Sequence, residues 1–234
     1  MSGRGRVATW NLQWATPGSA RHERAIRHLR RLDADVIVTT EDSLHDWVEY
    51  PHRIDGGPDW GYPIIGQRRK VIAWSRTPWE LHGHLDAPST QGRFVQGTTT
   101  VDGTTYRVFG VCIPWSDAHV RTGRADRYRW AEHLDFCAAV SPVISESVKT
   151  GPTIVAGDFN QRIPRSRQPL MVARALADAL GPLHVATAGE QPVGRLIDHI
   201  AVSADITVHD ISAWSNIVEH QRTSDHTGVA VTLG

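Results

Sequence analysis

The chain has few cysteines, hardly any lysines and no net charge. Its 234 residues include two cysteines, and its 25 basic residues balance its 25 acidic ones. Two distant cysteines, Cys112 and Cys137, supply neither a disulfide framework nor a cysteine-rich metal site, so we expect buried free thiols. Zero net charge argues against a protein that coats nucleic acid through bulk positive charge, although it is compatible with a locally basic groove.

Long apolar runs are also missing. The chain opens with Met-Ser-Gly-Arg-Gly-Arg and leads into a short strand without an extended apolar core. The sequence therefore predicts neither a signal peptide nor a transmembrane span, and a cytoplasmic location is the default expectation. Repeats and low-complexity segments are absent, and the 40% hydrophobic and 21% charged residues are ordinary for a globular protein. The simplest expectation is one domain over residues 1–234.

Strand and helix patterns alternate along the chain, which is typical of layered α/β architecture. Apolar, β-branched runs predict strands at 7–12, 35–40, 71–75, 153–157, 196–202 and 229–233. Residues 97–100 and 105–113 flank Asp102-Gly103, a strong hairpin-turn signal. Apolar spacing predicts helices over 20–32 with Ser19 as N-cap, over 123–149 with an interruption near Pro142, and over 168–180. Residues 50–66 are rich in Pro, Gly and Asp and are predicted as loop.

Short polar motifs lie at the ends of these apolar runs. In order they are Thr9-Trp10-Asn11, Glu41, Gly157-Asp158-Phe159-Asn160, Ile197-Asp198-His199 and Ser224-Asp225-His226. Carboxylates, carboxamides and a terminal histidine at strand ends are what a hard-cation site for phosphate ester hydrolysis needs. Five such motifs in one chain are hard to explain by chance.

Asp158 and Asn160 form the strongest single signal. Residues two apart in an extended chain point the same way, so both side chains can converge on one point after a buried strand. A carboxylate there can orient or deprotonate a water, and a carboxamide can hold that water or a phosphate oxygen. Taken alone, an Asx turn that closes the strand is an equally good interpretation.

Asp198 lies inside an otherwise apolar run, where a carboxylate is costly unless it is paired. His226 is an obvious partner, because a carboxylate bonded to imidazole fixes the tautomer and keeps the ring charged. A charged His226 could stabilise the extra negative charge of a pentavalent phosphorus transition state. A purely structural Asp–His pair is the alternative.

Glu41 and Asn11 each follow a predicted strand. Either one alone is more simply explained as a cap or a solvated residue. Together with Asp225 they supply oxygen donors for Mg²⁺ or Mn²⁺, and Mg²⁺ needs few protein carboxylates because it keeps several waters.

These motifs, from Asn11 to His226, resemble those of the endonuclease/exonuclease/phosphatase superfamily, which includes DNase I-like nucleases, abasic-site endonucleases, inositol phosphatases and sphingomyelinases. The resemblance implies a four-layer α/β sandwich, with two packed mixed β-sheets flanked by helices, and Mg²⁺- or Mn²⁺-dependent phosphoester hydrolysis. It implies that Glu41 is the main metal ligand, with Asn11 and Asp225 close to the metal. The candidate catalytic residues are Asp158, which would activate water, Asn160, which would assist, Asp198, which would pair with His226, and His226, which would bind the phosphate.

The sequence departs from the family at two places. Thr40 stands where the family usually has Gln before the metal-binding Glu. Cys112 occupies a strand position that often presents Tyr or His to the phosphate, with Trp115 and His119 nearby. The segment Ser75-Arg76-Thr77-Pro78 is similar to a family Ser-Arg-x-Pro segment, so Arg76 is a candidate for phosphate contact.

Two further residues are candidates for substrate binding. Arg162 lies in the loop after Asn160, where a guanidinium could contact a flanking phosphate. Trp115 follows a strand directed toward the site and could stack on a base or pack on a sugar or lipid. A solvated loop and ordinary packing are the alternatives, and for Trp115 packing is the better one on composition alone.

A metal-dependent phosphodiesterase acting on nucleic acid is the leading functional hypothesis. A second hypothesis keeps the fold but assigns a small or lipid phosphoester, which the neutral charge mildly favours. A third is a catalytically inactive relative that binds a phosphorylated ligand or a protein partner, as the changes at Thr40 and Cys112 would permit. The sequence identifies no particular protein partner.

Overall fold

The computed structural model describes residues 5–234. Residues 1–4, the start of the segment for which no signal peptide is predicted, lie outside this range. The helices are α1 (Ala20–Arg31), α2 (Ala131–Thr150) and α3 (Leu170–Leu180). The strands are β1 (Arg6–Asn11), β2 (Val36–Ser43), β3 (His52–Asp55), β4 (Arg68–Ser75), β5 (Glu80–Leu81), β6 (Phe94–Val101), β7 (Thr104–Cys112), β8 (Thr153–Asp158), β9 (Leu183–Val185), β10 (Glu190–Gln191), β11 (Gly194–Arg195), β12 (Asp198–Ser203), β13 (Val208–Trp214), β14 (Ile217–Val218), β15 (Gln221–Arg222) and β16 (Gly228–Leu233).

Two six-stranded mixed sheets form the centre of the fold. The first sheet has the strand order β13-β16-β1-β2-β4-β3, and the second has the order β5-β6-β7-β8-β12-β9. In the first sheet β1 is parallel to β2 and antiparallel to β16. In the second sheet β8 is parallel to β7 and antiparallel to β12. Each sheet therefore has one parallel pair at its centre with an antiparallel neighbour beside it.

Alternating side chains place apolar residues on both faces of each sheet, because successive residues of a strand point to opposite sides. The inner faces meet in a core that includes Val38, Val71 and Ile200. The outer face of the first sheet is covered by α1, with Leu29 among its contacts. The outer face of the second sheet is covered by α2 and α3. These four layers confirm the predicted α/β sandwich.

Some local predictions need correction. Helix α2 begins only at Ala131 and continues through Pro142, so residues 123–130 are loop and the predicted interruption is wrong. The predicted loop at 50–66 contains β3, and the apolar patterns do not predict β13. The predicted Ser19 cap is confirmed, since the Ser19 side chain accepts a hydrogen bond from the His22 amide at 3.2 Å.

No helix among residues 5–234 combines the length and the apolar character that crossing a membrane requires.

Several strand termini meet at one end of the sandwich, which we call the edge of the sandwich. β1, β2 and β8 end there, while their antiparallel neighbours β12 and β16 begin there. The polar motifs of the sequence lie at these five points.

Candidate active site

Asn11 connects the two sheets at this edge. It shares the inward-facing side of β1 with Val7. Its backbone amide donates to Asp198 Oδ2 at 2.7 Å, and its Nδ2 donates to Asp158 Oδ2 at 3.1 Å. Its carbonyl oxygen accepts from the Ser224 hydroxyl at 2.6 Å. Asn11 therefore contacts three of the sequence motifs at once.

Asp158 is buried at the end of β8 and is surrounded by donors. Its Oδ1 accepts from the Asn160 amide at 2.8 Å, and its Oδ2 accepts from Asn160 Nδ2 at 3.0 Å as well as from Asn11. The bond from the Asn160 amide to Asp158 has the form of an Asx turn, so the structural and catalytic interpretations of this motif are compatible. Gly157 is needed here, because its φ is +145° and a Cβ would overlap the Val111 carbonyl oxygen of the adjacent strand.

His226 and Asp198 form a buried ion pair. Asp198, the first residue of β12, is fully buried, and its Oδ1 accepts from His226 Nδ1 at 2.7 Å. The backbone of His226 is held on both sides: its amide donates to Ser224 Oγ at 3.0 Å, and its carbonyl accepts from Trp10 Nε1 at 2.9 Å. The Nε2 atom is left facing Asp225, 3.8 Å from Oδ1.

Glu41 lies near the end of β2 in a strained backbone conformation. Its φ is +49°, which is uncommon for a residue other than glycine and clusters at functional sites. Lys70 of the neighbouring strand β4 donates from Nζ to Glu41 Oε1 at 2.6 Å. Lys70 is 8% exposed, whereas the Glu41 side chain stays 22% exposed, so the carboxylate keeps some access to solvent.

The site carries more negative charge than its own cations balance. Burial raises the pKa of Asp158 to about 7; the positive charge of His226 opposes this, and the charges of Asp198 and Glu41 add to it. Burial on its own lowers the pKa of His226, but the charges of Asp198 and Asp158 and the hydrogen bond to Asp198 outweigh it and raise the pKa to about 10. His226 is therefore an imidazolium at neutral pH, and the site retains an excess of carboxylate.

The donor set fits a hard divalent cation. Glu41, Asn11 and Asp225 offer oxygen atoms, which Mg²⁺ and Mn²⁺ prefer, and Glu41 and Asp225 have partly accessible carboxylates. One ligand atom each of Asp158, Asp198 and His226 also lies within 4.8 Å of the others. That second group is held together by its own hydrogen bonds, so Glu41 is the better centre for a cation.

Cys112 occupies the strand position that often presents Tyr or His to the phosphate, but its surroundings do not suit a phosphate donor. It is paired in register with Asp158 and packs into the inner core. Burial raises the pKa of its thiol, with Lys70 opposing and Asp158 adding to the effect. The thiol therefore stays protonated and buried. His119 is likewise buried, and its Nε2 donates to the Trp60 carbonyl oxygen at 3.2 Å, so its role is to support that loop.

An aromatic and cationic cleft adjoins Glu41 through Lys70. It has a volume of about 350 Å³. Trp14 and Trp60 stack in it with ring centroids 5.5 Å apart. Its other lining residues are Tyr62, Pro63, Ile65, Arg68, Lys70, Arg93, Trp115 and Thr122. The Arg68 guanidinium and the Lys70 ammonium lie 4.9 Å and 5.2 Å from the centroid of the Trp14 ring. We call this surface the aromatic cleft.

Two of the predicted substrate-binding residues, Trp115 and Arg162, line different cavities. Trp115 is 45% exposed and lines the aromatic cleft. Arg162 lies in the loop after Asn160, beside a cavity that Leu176 and Leu183 also line.

Arg76 is not brought to the site. Ser75 pairs with Val36 at the start of β2, and the Arg76 amide donates to the Asp35 carbonyl oxygen. Arg76 therefore lies at the opposite end of β2 from Glu41, roughly 20 Å away at ~3.3 Å per residue. There it forms an ion pair with Asp33 and lies 5.5 Å from the centroid of the Tyr50 ring.

Sequence reasoning indicates Trp14 as a residue that could stack on a base, but it missed Lys70, Arg93 and the stacking of Trp60 on Trp14. Lys70 is one of two lysines in an arginine-rich chain, which is a weak signal for a special role. Arg93 is 2% exposed, and its Nη2 has no partner within residues 5–234. Its carbonyl oxygen accepts from the Cys112 amide at 2.9 Å. The predicted hairpin strand begins only at residue 97, whereas β6 begins at Phe94, so the sequence gives no signal for Arg93.

Comparison with known proteins identifies the family to which the chain belongs. The model of the Endonuclease/Exonuclease/phosphatase family matches residues 8–226. Curated protein sequences give no match.

Solved structures share the fold at low sequence identity. An AP endonuclease from Archaeoglobus fulgidus superposes with a TM-score of 0.70 at 16% identity, covering 97% of this chain and 98% of that one. An endonuclease/exonuclease/phosphatase from Bacteroides vulgatus gives 0.70 at 17% identity, with 99% of each chain covered. The 3′ phosphatase NExo from Neisseria gives 0.67 at 19% identity, covering 97% of this chain and 98% of that one. Since the family model spans nearly the whole length, from β1 to the histidine before β16, the chain belongs to the Endonuclease/Exonuclease/phosphatase family.

Proposed function

We propose that the chain is a Mg²⁺- or Mn²⁺-dependent phosphodiester hydrolase that acts on nucleic acid. The observation that carries the proposal is the convergence of Asn11, Asp158 and Asp198–His226 in one hydrogen-bonded cluster beside Glu41. A binding protein for a phosphorylated ligand has no need for a buried carboxylate held by three donors next to an imidazolium.

Asp158 is the proposed general base. Its pKa is raised to about 7 by burial and by nearby carboxylates, which places it close to the value that general-base catalysis at neutral pH favours. Asn11 and Asn160 fix both carboxylate oxygens, so the group is held in place for an incoming water. In the proposed reaction Asp158 takes a proton from that water as the oxygen attacks phosphorus. The P–O bond to the leaving alcohol breaks, and the leaving oxygen takes up a proton from solvent.

His226 is the proposed phosphate-binding group. Its Nδ1 is bonded to Asp198, so the remaining N–H, on Nε2, can donate to a phosphoryl oxygen. A fixed positive charge in a largely buried site stabilises the charge that develops on phosphorus. Asp198 acts through His226 and is a positioning residue.

Glu41, with Asn11 and Asp225, would hold the divalent cation. When bound, the cation neutralises phosphate charge and polarises the phosphoryl group. The chain itself adds Lys70 and Arg93 in the lining of the aromatic cleft, where ammonium and guanidinium groups can meet a flanking phosphate. These two cations take the place of the donor that Cys112 does not provide.

Nucleic acid is the substrate class that the surroundings favour. Exposed Trp115 offers an aromatic face for an unpaired base, and the aromatic cleft beside it presents Arg68 and Lys70, cations that can contact the backbone. The similar structures point the same way, since one is an AP endonuclease and another is a 3′ phosphatase bound to a product DNA hairpin. A small or lipid phosphoester is the alternative on the same catalytic centre.

A substrate panel tests the proposal. Single- and double-stranded DNA, abasic-site DNA, RNA, a chromogenic phosphodiester and a phosphomonoester would be incubated with Mg²⁺, with Mn²⁺ or with EDTA. We expect cleavage of a nucleic acid that requires metal and falls by about 10²–10⁴-fold in Asp158→Asn, since that change removes the base. Asp178→Asn, on the exposed side of α3, is the matched control and should keep full activity.

Each other outcome has a definite meaning. Metal-dependent turnover of the small esters alone would overturn the nucleic acid assignment while keeping the catalytic one. Turnover that is equal in Asp158→Asn and in the unmodified protein would refute the catalytic assignment.

A further inference from the structure

A second polar cluster lies on the outer face of the first sheet, beneath α1. It consists of His22 from α1, Asp42 from β2 and His45 from the following loop. One nitrogen of each histidine and one carboxylate oxygen lie within 4.8 Å of one another. We call these three residues the His–Asp–His cluster. It plays no part in the proposed hydrolysis, which uses the edge of the sandwich.

Each histidine of this cluster has a buried nitrogen without a hydrogen-bond partner in residues 5–234. His22 is 5% exposed and Asp42 is fully buried. Nε2 of His22 and Nε2 of His45 have no hydrogen-bond partner in the part of the chain that the structure describes. A buried polar atom without a partner costs about 1–3 kcal/mol. Two such atoms beside the same buried carboxylate point to a missing ligand.

The remaining hydrogen bonds orient the cluster as they do in metal sites. His45 Nδ1 donates to the Ser43 carbonyl oxygen at 2.8 Å, so Nε2 is the ring nitrogen left for a ligand. Asp42 accepts from Thr39 Oγ1 at 2.8 Å and from the Ser43 amide at 2.7 Å. Histidines that bind metal commonly donate their other N–H to a backbone carbonyl, and ligating carboxylates are themselves hydrogen-bonded.

The protonation state of His22 also suits ligation. Burial, with a smaller effect from His45, lowers the pKa of His22 to about 4, so the ring is neutral at physiological pH. The two rings meet edge to face with centroids 4.7 Å apart. The ring of Trp74 packs against His45 with centroids 4.7 Å apart and closes that side of the cluster to water.

We propose that His22, Asp42 and His45 form a binding site for one Zn²⁺ ion, distinct from the catalytic centre. Two imidazoles and one carboxylate suit zinc, whereas Mg²⁺ prefers oxygen ligands throughout. His22 Nε2 lies 3.9 Å from Asp42 Oδ1. Ligands of tetrahedral zinc at about 2.0–2.1 Å stand roughly 3.3 Å apart, so a small side-chain movement closes the site.

Equilibrium dialysis against Zn²⁺ in excess Mg²⁺ tests the site, because Mg²⁺ saturates the oxygen-rich catalytic centre. Bound zinc is counted by mass spectrometry. We expect one Zn²⁺ per chain in the unmodified protein and at least roughly tenfold weaker binding in His22→Asn and in His45→Asn, since each removes a ligand. Two controls should retain the zinc. His28→Asn changes another histidine of α1 whose Nε2 is buried and unpartnered within residues 5–234, and Glu41→Gln removes the catalytic ligand.

Cobalt gives a readout that does not depend on whether the variants fold. Co²⁺ bound to the unmodified protein in excess Mg²⁺ should show the intense visible absorption of four-coordinate cobalt, and one equivalent of Zn²⁺ should abolish it. The proposal is overturned if the unmodified protein binds no zinc, if both histidine variants bind it unchanged, or if Glu41→Gln alone loses it. None of these results bears on whether Asp158 supports hydrolysis.

Discussion

Replacing Asp198 with Asn tests how the imidazolium of His226 is maintained. The two carboxylate oxygens accept from different donors, His226 Nδ1 and the Asn11 amide, each at 2.7 Å. A carboxamide has one oxygen, so Asp198→Asn must present an NH₂ group to one of these donors. The bond to His226 is then lost, or it survives without its charge.

The expected loss of activity follows from the hydrogen bond between Asp198 and His226. A hydrogen bond between charged groups contributes about 1.5–3 kcal/mol, which corresponds to a roughly 10- to 150-fold lower kcat. The pKa of His226 should also fall from about 10 toward the ordinary value of 6.5, because the charge of Asp198 is a main cause that raises it. The alkaline limb of the rate profile should therefore move to lower pH.

The assay is hydrolysis of the best panel substrate at saturating Mg²⁺, followed from pH 6.5 to about 10. Thermal unfolding of each protein separates loss of catalysis from loss of fold, and Asp178→Asn controls for removal of a carboxylate elsewhere. A folded Asp198→Asn protein with an unchanged kcat and an unchanged alkaline limb would show that His226 does not depend on Asp198, and the proposed role of the pair would be abandoned.

Three further predictions concern other parts of the molecule. Lys70→Met should tighten Mg²⁺ binding by roughly tenfold in calorimetry, because a charged hydrogen bond of about 1.5 kcal/mol no longer competes for Glu41; Lys70→Arg should not. Trp115→Ala should raise KM for single-stranded DNA by roughly 5- to 100-fold, the effect of losing one base stack, and leave KM for the chromogenic ester unchanged. Burial lowers the pKa of His133 and of His199 to about 4, so these rings stay neutral in the fold while the unfolded chain takes up protons below pH 6.5. Stability should therefore be lost as pH falls from 6.5 to about 4, by up to about 3 kcal/mol per histidine in urea unfolding, and His133→Gln should reduce this slope.

Each of these predictions has an outcome that contradicts it. Unchanged Mg²⁺ affinity in Lys70→Met would mean that the Lys70–Glu41 pair does not compete with the cation. An equal rise in KM for DNA and for the small ester in Trp115→Ala would assign that residue to the catalytic centre instead of to base stacking. A pH slope that His133→Gln leaves unchanged would assign the acid sensitivity to other groups.

The inward-facing residues of the site can be predicted from the sequence, because side chains along a strand alternate between its two faces. Asp158 shares its face of β8 with the core residues Ile154 and Ala156, and Asp198 shares its face of β12 with Ile200. A polar residue that continues an apolar face at a strand end is therefore visible in the amino-acid sequence alone. The same reasoning places Asn11 on β1.

Residues whose roles depend on pairing between strands are not visible in this way. Lys70 meets Glu41 only because β2 and β4 pair with a particular register. A local motif predicts Arg76 near the phosphate, but the antiparallel direction of β4 carries it to the opposite edge. The His–Asp–His cluster joins a helix, a strand and a loop, so it has no local spacing that would reveal it.

The proposed active site is shared between the two sheets, so its geometry depends on how the sheets pack against each other. Glu41, Asn11 and His226 belong to the first sheet or to the loop that enters it, whereas Asp158 and Asp198 belong to the second. The bonds Asn11–Asp158, Asn11–Asp198 and His226–Asp198 all cross between the layers. The proposed metal ligands lie on one sheet and the proposed base on the other. The relative position of metal and water is therefore set by the packing of the inner core, and a core that loosens would impair hydrolysis before it impairs metal binding.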